Sequence, residues 1–413
     1  METSRKNFVL GVLHEGLWGL GTGLCNPVTI LPLALADLGG SAALAGLLAG
    51  LLFAMYSAPQ WISAHRLSPA WSDPKRCALL HSPAILAQAL AALLFLALPS
   101  LPAPWKLALF IALFSAHYLG IGLIMPHWLA CIGRCMPEGA RGRYFGSSFA
   151  FSGAMAGLGG LLAGWWAAKA GLRWGFGMCF ALAVPAQVAC VSVLSRLKPL
   201  LPAPDAPPSS LAAALRENLA LLRGSRLARA TLLLFLVMPF AGAAGSLFTV
   251  YLREVRGLPA AWFGPFSAAL SLGGMAGSFL LGLINDRRGP RVAMLLAFAA
   301  MLCSLAALAW LHRPGLLCLA FLSNGFWTSA FAVVNLVLLL DLAGPTRVPS
   351  LTGLVNTLMA PFILAAPWLA GVVAQRFRYS GAFLLSALAC LAGPALLAAF
   401  PGLGARGKSA PQP

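Results

Sequence analysis

Long apolar runs, each closed by Pro, Gly or a charged side chain, take up most of the chain. They fall at about residues 8 to 36, 42 to 64, 77 to 98, 106 to 132, 144 to 168 and 174 to 195. A second set lies at about 229 to 252, 259 to 284, 291 to 312, 315 to 340, 350 to 375 and 379 to 400. About 20 apolar residues in a helix cross the hydrocarbon core of a bilayer, and only helices and closed barrels satisfy their backbone there. The pattern predicts an all-α integral membrane protein with twelve transmembrane helices.

The two sets are separated by the longest polar segment, Arg196 to Arg229, which opens on Pro199, Pro202, Pro204, Pro207 and Pro208. Ser209 and Ser210 can cap a helix that starts after them. Leu211, Leu215, Leu219 and Leu222 then recur at helical spacing opposite Arg216, Glu217 and Arg223, which predicts an amphipathic helix on the membrane surface. The expected organisation is a six-helix bundle over 1–195, a linker over 196–228, a second six-helix bundle over 229–400 and a tail over 401–413.

Composition agrees with this reading. The chain has 413 residues, 60% of them hydrophobic and 9% charged, which excludes a soluble enzyme. The formal net charge of +18 points to topology and not to nucleic acid, because the basic residues sit between the apolar runs. With loops assigned alternately, 20 of the 28 Lys and Arg fall on the side that carries both termini and the linker. By the positive-inside rule that side is cytoplasmic. The nine cysteines are scattered, mostly inside apolar runs, and imply no disulfide framework. Arg5 and Lys6 precede an apolar segment too long for a signal peptide, so it reads as an uncleaved first span.

Internal repetition supports two similar halves. A shift of 207 positions lays Gly146 on Gly353, Gly164 on Gly371 and Phe176 on Phe383. A shift of 217 lays Asp37 on Glu254 and Gly40 on Gly257, at the ends of spans 1 and 7. Parallel repeats about an axis along the membrane normal characterise one large transporter class.

After span 8 comes Gly282-Leu-Ile-Asn-Asp286-Arg287-Arg288-Gly289-Pro290-Arg291. It resembles the G-x-x-x-D-R-x-G-x-R loop of the major facilitator superfamily, and the resemblance extends to span number, linker and repeat. A carboxylate there can pair with basic residues and a neighbouring helix N-terminus, forming a cytoplasmic gate from Gly282, Asp286, Arg287, Gly289 and Arg291. The matching loop of the first half, Gln60 to Arg76, lacks the motif's core, although Asp73 and its basic neighbours offer a substitute. Glycines of span 5, Gly153 to Gly164, partly resemble the family's antiporter motif without its proline, and close helix packing explains them equally.

The resemblance implies a central cavity lined by spans 1, 4, 7 and 10. On span 1, Glu15, Trp18, Thr22, Asn26 and Thr29 share an arc of about 80°. On span 4, His117, His127, Cys131 and Arg134 share an arc of about 100°. Span 10 offers Asn324, Trp327, Thr328, Phe331 and Asn335, and span 7 offers Gly242, Gly245, Ser246 and Thr249. Glu15 is the one carboxylate well inside an apolar run, where it must face protein or water. Either Glu15, with His14 and a histidine of span 4, binds and releases a proton as the halves rock, or it reaches the interface from a span longer than the bilayer. His117 lines the cavity or donates to a backbone carbonyl. His127, Cys131 and Cys135 have the spacing of soft metal ligands, but two cysteines and one histidine at a helix mouth are ordinary packing residues, so no metal site is assigned.

No Lys or Arg lies mid-span, which disfavours anionic substrates. Trp18, Trp128, Trp327, Phe326 and Phe331 with one carboxylate suit a neutral, amphipathic or cationic organic molecule. No nucleotide-binding G-x-x-x-x-G-K-[ST] loop is present and no cofactor is called for. The expected function is alternating-access secondary transport, proton-coupled, in the plasma membrane of a bacterium. A non-transporting assembly factor, lipid-handling protein or sensor on the same fold is the alternative.

Overall fold

A computed structural model describes residues 2–202 and 211–402. Pro204, Pro207, Pro208, Ser209 and Ser210, and the tail beyond 402 with Arg406 and Lys408, lie outside the described residues.

Among the described residues every regular element is helical. The first half contains α1 (Glu2–Leu24), α2 (Ile30–Asp37), α3 (Ala42–Ser57), α4 (Gln60–Arg66), α5 (Pro74–Leu80), α6 (Ser82–Leu96), α7 (Ala103–Cys135), α8 (Glu138–Ala170) and α9 (Gly177–Leu194). The linker helix is α10 (Leu211–Gly224). The second half contains α11 (Arg226–Gly242), α12 (Phe248–Glu254), α13 (Phe263–Arg288), α14 (Pro290–Trp310) and α15 (Pro314–Ala399). Starts are marked by capping: the Ser41 hydroxyl accepts from Leu44 N, Asp73 accepts from Lys75 N ahead of Pro74, and Ser225 accepts from Ala228 N.

Ten segments are long and apolar enough to cross a membrane. Two of the predicted spans enter that count differently. The first, α1, is not among the ten: Asn7, His14, Glu15 and its glycines dilute its apolar character. The segment Ser350–Ala399 has 50 residues, and at 1.5 Å per residue its length of about 75 Å is more than twice the hydrocarbon core. It turns back at Arg378, which has φ 67°. Spans 11 and 12 thus divide at a residue whose side chain makes the left-handed conformation unfavourable by about 1 kcal/mol. Arg378→Gly should raise stability by about that amount, read as a higher midpoint in thermal unfolding.

The surface is inverted relative to a water-soluble protein. Leu86, Leu90 and Leu93 on α6, and Leu384, Leu388 and Leu391 on α15, point outward at helical spacing. Polar side chains such as Gln88, Gln187, Asn324 and Ser386 are buried within the helices.

The repeat is visible as shared irregularities. Span 1 breaks between α1 and α2, where the Asn26 carboxamide accepts from Val28 N and Thr29 N around Pro27. Under the 217 shift this break falls on the 3₁₀ segment Ala243–Leu247 in span 7. Under the 207 shift Gly171, with φ 64°, falls on Arg378, so the same turn joins spans 5 and 6 as joins 11 and 12. One alignment needs correction by a residue: the left-handed turn after span 1 is at Gly39 (φ 80°), not Gly40, and it is Gly39 that matches Gly257 (φ 64°).

The halves meet along two seams. Ala42, Gly46, Gly50, Ala58 and Trp61 of span 2 lie against Gly371, Pro367, Leu364, Thr357 and Gly353 in antiparallel register. On the other flank Gly153, Gly157, Gly160 and Gly164 of α8 lie against Met275, Ala268, Ser267 and Gly264 of α13. Among the described residues α7 and α15 share no extensive packing. The cleft expected between spans 1 and 4 and spans 7 and 10 would lie between the two seams.

Candidate functional site

Glu15 is positioned by a stripe of small residues. Gly11, Gly19 and Gly23 of α1 receive Tyr144, Ser152 and Ala156 of α8, each pair one or two helical turns from the next. Glu15 occupies the missing step on α1 and Ser148 the missing step on α8, so the parallel register sets them opposite each other. Gly16 takes the ring of Phe151 beside them. The carboxylate is 7% exposed and lies in the packing between α1 and α8, inside the first half.

His14, its neighbour, is held by two other helices. Its Nδ1 lies 3.1 Å from Cys190 O on α9, and Trp128 Nε1 of α7 donates to its Nε2 at 3.1 Å. A carbonyl can only accept, so Nδ1 carries the hydrogen and Nε2 is the lone-pair nitrogen of a neutral ring. Glu15 Oε1 is 3.4 Å from that same Nε2.

The other histidines of the region are fixed in the same manner. His117 Nδ1 donates to Ala84 O at 2.8 Å, so it takes the second of the two roles its sequence position allows. His81, on the turn between α5 and α6, donates to Cys77 O at 2.7 Å. Trp18 joins them, stacked on His117 at 6.4 Å and edge-on to His81 at 5.7 Å, with His81 also edge-on to His14 at 6.4 Å. His81 escaped the sequence analysis because span 3 is an outer helix of each triplet in the expected arrangement; Ser82 and Pro83, marking a turn beside it, were the available signal. His127 is buried with its Nε2 unpartnered among the described residues, and Cys131 and Cys135 are fully buried.

Two residues of the expected stripe serve the backbone. Thr22 Oγ1 donates to Trp18 O, and Asn26 caps the break in span 1. In the second half Trp327 and Asn324 turn onto Gly242 and Gly245 of span 7, at 1% and 3% exposure, and fill the space between spans 7 and 10. Phe331 is exposed and Asn335 half-buried, with Asn335 Oδ1 unpartnered among the described residues.

The two ends of the molecule differ. At the end away from Glu2 and Pro401, Arg253 Nε of α12 donates to Asp37 Oδ1 of α2 at 3.0 Å, and Thr249 Oγ1 donates to Val28 O at 2.9 Å. These bonds join span 1 to span 7 and close the cleft at that far end. The sequence placed Thr249 on span 7 and Asp37 in the repeat, but the pairing across the halves has no signature in spacing.

At the near end, Gly289 has φ 86° and ends α13 with its N–H on Asn285 O, which explains the glycine of the loop motif. Arg291 donates to Pro401 O, and Gly282 sits within reach of Val333. Asp286 and Arg287 are exposed, and Asp286 makes no ion pair among the described residues. In the first half Asp73 is used as the cap of α5. Among the described residues the near end is bridged on one flank, where Asn356 Nδ2 donates to Gln60 Oε1 and Asn218 of α10 donates to Ser350 Oγ, itself 3.5 Å from His65 Nε2.

The fold is shared with solved transporters. The nucleoside transporter NupG superposes with a TM-score of 0.66 at 16% identity, covering 97% of this chain and 99% of that one. The D-xylose-proton symporter gives 0.65 at 17% identity, covering 95% and 97%, and the xylose transporter XylE from E. coli gives 0.65 at 14%, covering 97% and 98%. These likenesses concern the fold. No curated protein matches the chain in sequence. The family model described as Major Facilitator Superfamily matches residues 17–315. Motif, repeat, fold and family model agree, and the chain belongs to the major facilitator superfamily.

Proposed function

We propose that this secondary transporter, not an enzyme, moves a small organic solute by alternating access and couples that movement to a proton carried on Glu15. The observation that carries the reading is the contact at Glu15. His14 Nε2 already accepts from Trp128, so Glu15 Oε1, 3.4 Å away, would set lone pair against lone pair if the carboxyl were ionised. A proton on Glu15 removes that repulsion by neutralising the carboxyl beside the occupied nitrogen. Among the described residues no Lys or Arg pairs with the carboxylate to replace that proton, and uncompensated charge inside a membrane helix is strongly unfavourable.

The two six-span bundles would rock about the cleft, over 1–195 and 229–400, with 196–228 as the tether. With both termini in the cytoplasm of a bacterium, the far-closed state is the inward-facing one. The solute is neutral, amphipathic or cationic; support comes from the absence of a mid-span Lys or Arg. Sugar- and nucleoside-transporting proteins on the same fold are compatible with a neutral solute.

The test is transport in proteoliposomes across a compound panel. Glu15→Gln should abolish accumulation driven by a pH gradient while retaining exchange of solute across the membrane at equal pH. Accumulation by Glu15→Gln equal to wild type would remove Glu15 from the mechanism.

A further inference from the structure

The packing of α8 against α1 contains two hydroxyls without a function in the far-closed state. Tyr144 and Ser148 are each 0% exposed, with their hydroxyls beside each other, and among the described residues neither hydroxyl has a hydrogen-bond partner outside that pair. Buried polar groups left unpaired cost about 1–3 kcal/mol each, and native structures rarely keep two side by side without a use for them. Both lie on the face that holds Glu15. The Tyr144 ring packs on Gly11, one turn before Glu15, with its Cε2 2.5 Å from where a Cβ on Gly11 would be. Ser148 is one turn further along α8, between the Gly11–Tyr144 and Gly19–Ser152 contacts, opposite Glu15 itself.

We propose that Tyr144 and Ser148 are positioning residues of the coupling site, whose hydroxyls receive the Glu15 carboxylate once its proton has left. This rests on the reading of Glu15 as the proton carrier and extends it to the ionised state. In the protonated state the carboxyl is neutral beside His14 and the two hydroxyls are idle. On deprotonation the proton passes to water, the contact with His14 Nε2 becomes repulsive, and the carboxylate turns to two O–H donors already in place. No proton leaves either hydroxyl, and both remain neutral donors throughout.

The surrounding groups leave the task to these two residues. His14 on the same helix offers a lone pair, not a hydrogen. From α7, the Trp128 indole hydrogen is spent on His14, and from α9 the Cys190 thiol lies 2.9 Å from His14 Nδ1. From the turn before α6, His81 faces His14 edge-on and donates to Cys77 O. Arg141, one turn before Tyr144, directs Nη2 to Gly133 O on α7. Charge-assisted hydrogen bonds are the strong ones, so two hydroxyls suffice to make an ionised carboxylate tolerable where no cation is available.

Infrared titration of the purified protein in nanodiscs tests this without knowledge of the solute. The probe is the carbonyl band of a protonated carboxyl group, followed between about pH 5 and pH 9. The wild type should show a titrating band that is absent from Glu15→Gln. Tyr144→Phe and Ser148→Ala should each raise the pH at which half the band is lost by about one unit, a tenfold gain in proton affinity. Ser152→Ala, one turn further on the same seam, should not move it.

A band that persists in Glu15→Gln would overturn the reading of Glu15. A band lost in Glu15→Gln, but with its midpoint unmoved by Tyr144→Phe and Ser148→Ala together, would overturn the role of the hydroxyls alone. An equal shift in Ser152→Ala would overturn it too, by assigning the effect to packing. So would a wild-type band unchanged across the range, since no carboxylate would form for the hydroxyls to receive.

Discussion

Arg253→Ala is expected to open the far end of the cleft. The Arg253–Asp37 pair is partly exposed, at 34% and 20% of its side chains, and such pairs contribute about 1 kcal/mol or less. Its whole value bears on one equilibrium, because Asp37 and Arg253 belong to different halves and meet only when the far ends of spans 1 and 7 are together. Losing about 1 kcal/mol shifts that equilibrium about fivefold toward the far-open state. Thr249→Val removes the second link, to Val28 O, and adds a comparable step, so the double variant should shift it by about 30-fold at most. Spin labels at Ser100 and Val255, both exposed at the far end, would report the separation as a longer distance. Cys303 and Cys318 have to be replaced first, since the other cysteines are buried. An unchanged distance distribution in the double variant would mean that the latch does not govern the far end.

Gly46→Val should stop transport altogether, yet leave the protein folded. A Cβ on Gly46 would run into Pro367 O across the seam between the halves, and a branched side chain leaves no rotamer that avoids it. Backbone cannot yield as a flexible side chain does, so the far-closed state is lost while each half keeps its own packing. Gly23→Val provides the contrast. Its Cβ would meet Ala156 O within the first half, where α1 and α8 stay together in every state. That variant should unfold or fail to accumulate, whereas Gly46→Val should elute and melt like wild type with the Ser100–Val255 distance fixed at its long value. Equal loss of folded protein in both would show that the span 2 seam is a permanent interface and not a moving one.

The gate loop shows how far sequence reasoning reaches. Gly289 could be read from the motif because φ 86° combined with ψ 163° at the end of α13 is a conformation essentially only glycine adopts, whatever surrounds it. Asp286 could be identified but not its condition, since whether a surface carboxylate has a partner depends on which ends are together. His14 and Glu15 were legible as a polar pair in an apolar run, but not their directions. Trp128 comes from a helix more than a hundred residues away, and its indole hydrogen decides which histidine nitrogen remains an acceptor. Asn324 and Trp327 were on the right helix, but the glycines of span 7 draw their side chains into the packing, where helical periodicity alone turns them toward the cleft.

The sequence by itself determined the membrane as solvent, the helical class and the family, because bilayer thickness and charge at the interface act on composition one segment at a time. Tertiary structure alone decided that Asp37 finds Arg253 and that Trp128 and Glu15 both approach His14 Nε2. Those outcomes depend on the direction of a side chain around a helix and on the register between helices. Glycines set that register only once two backbones have met, and no pattern within one helix contains it.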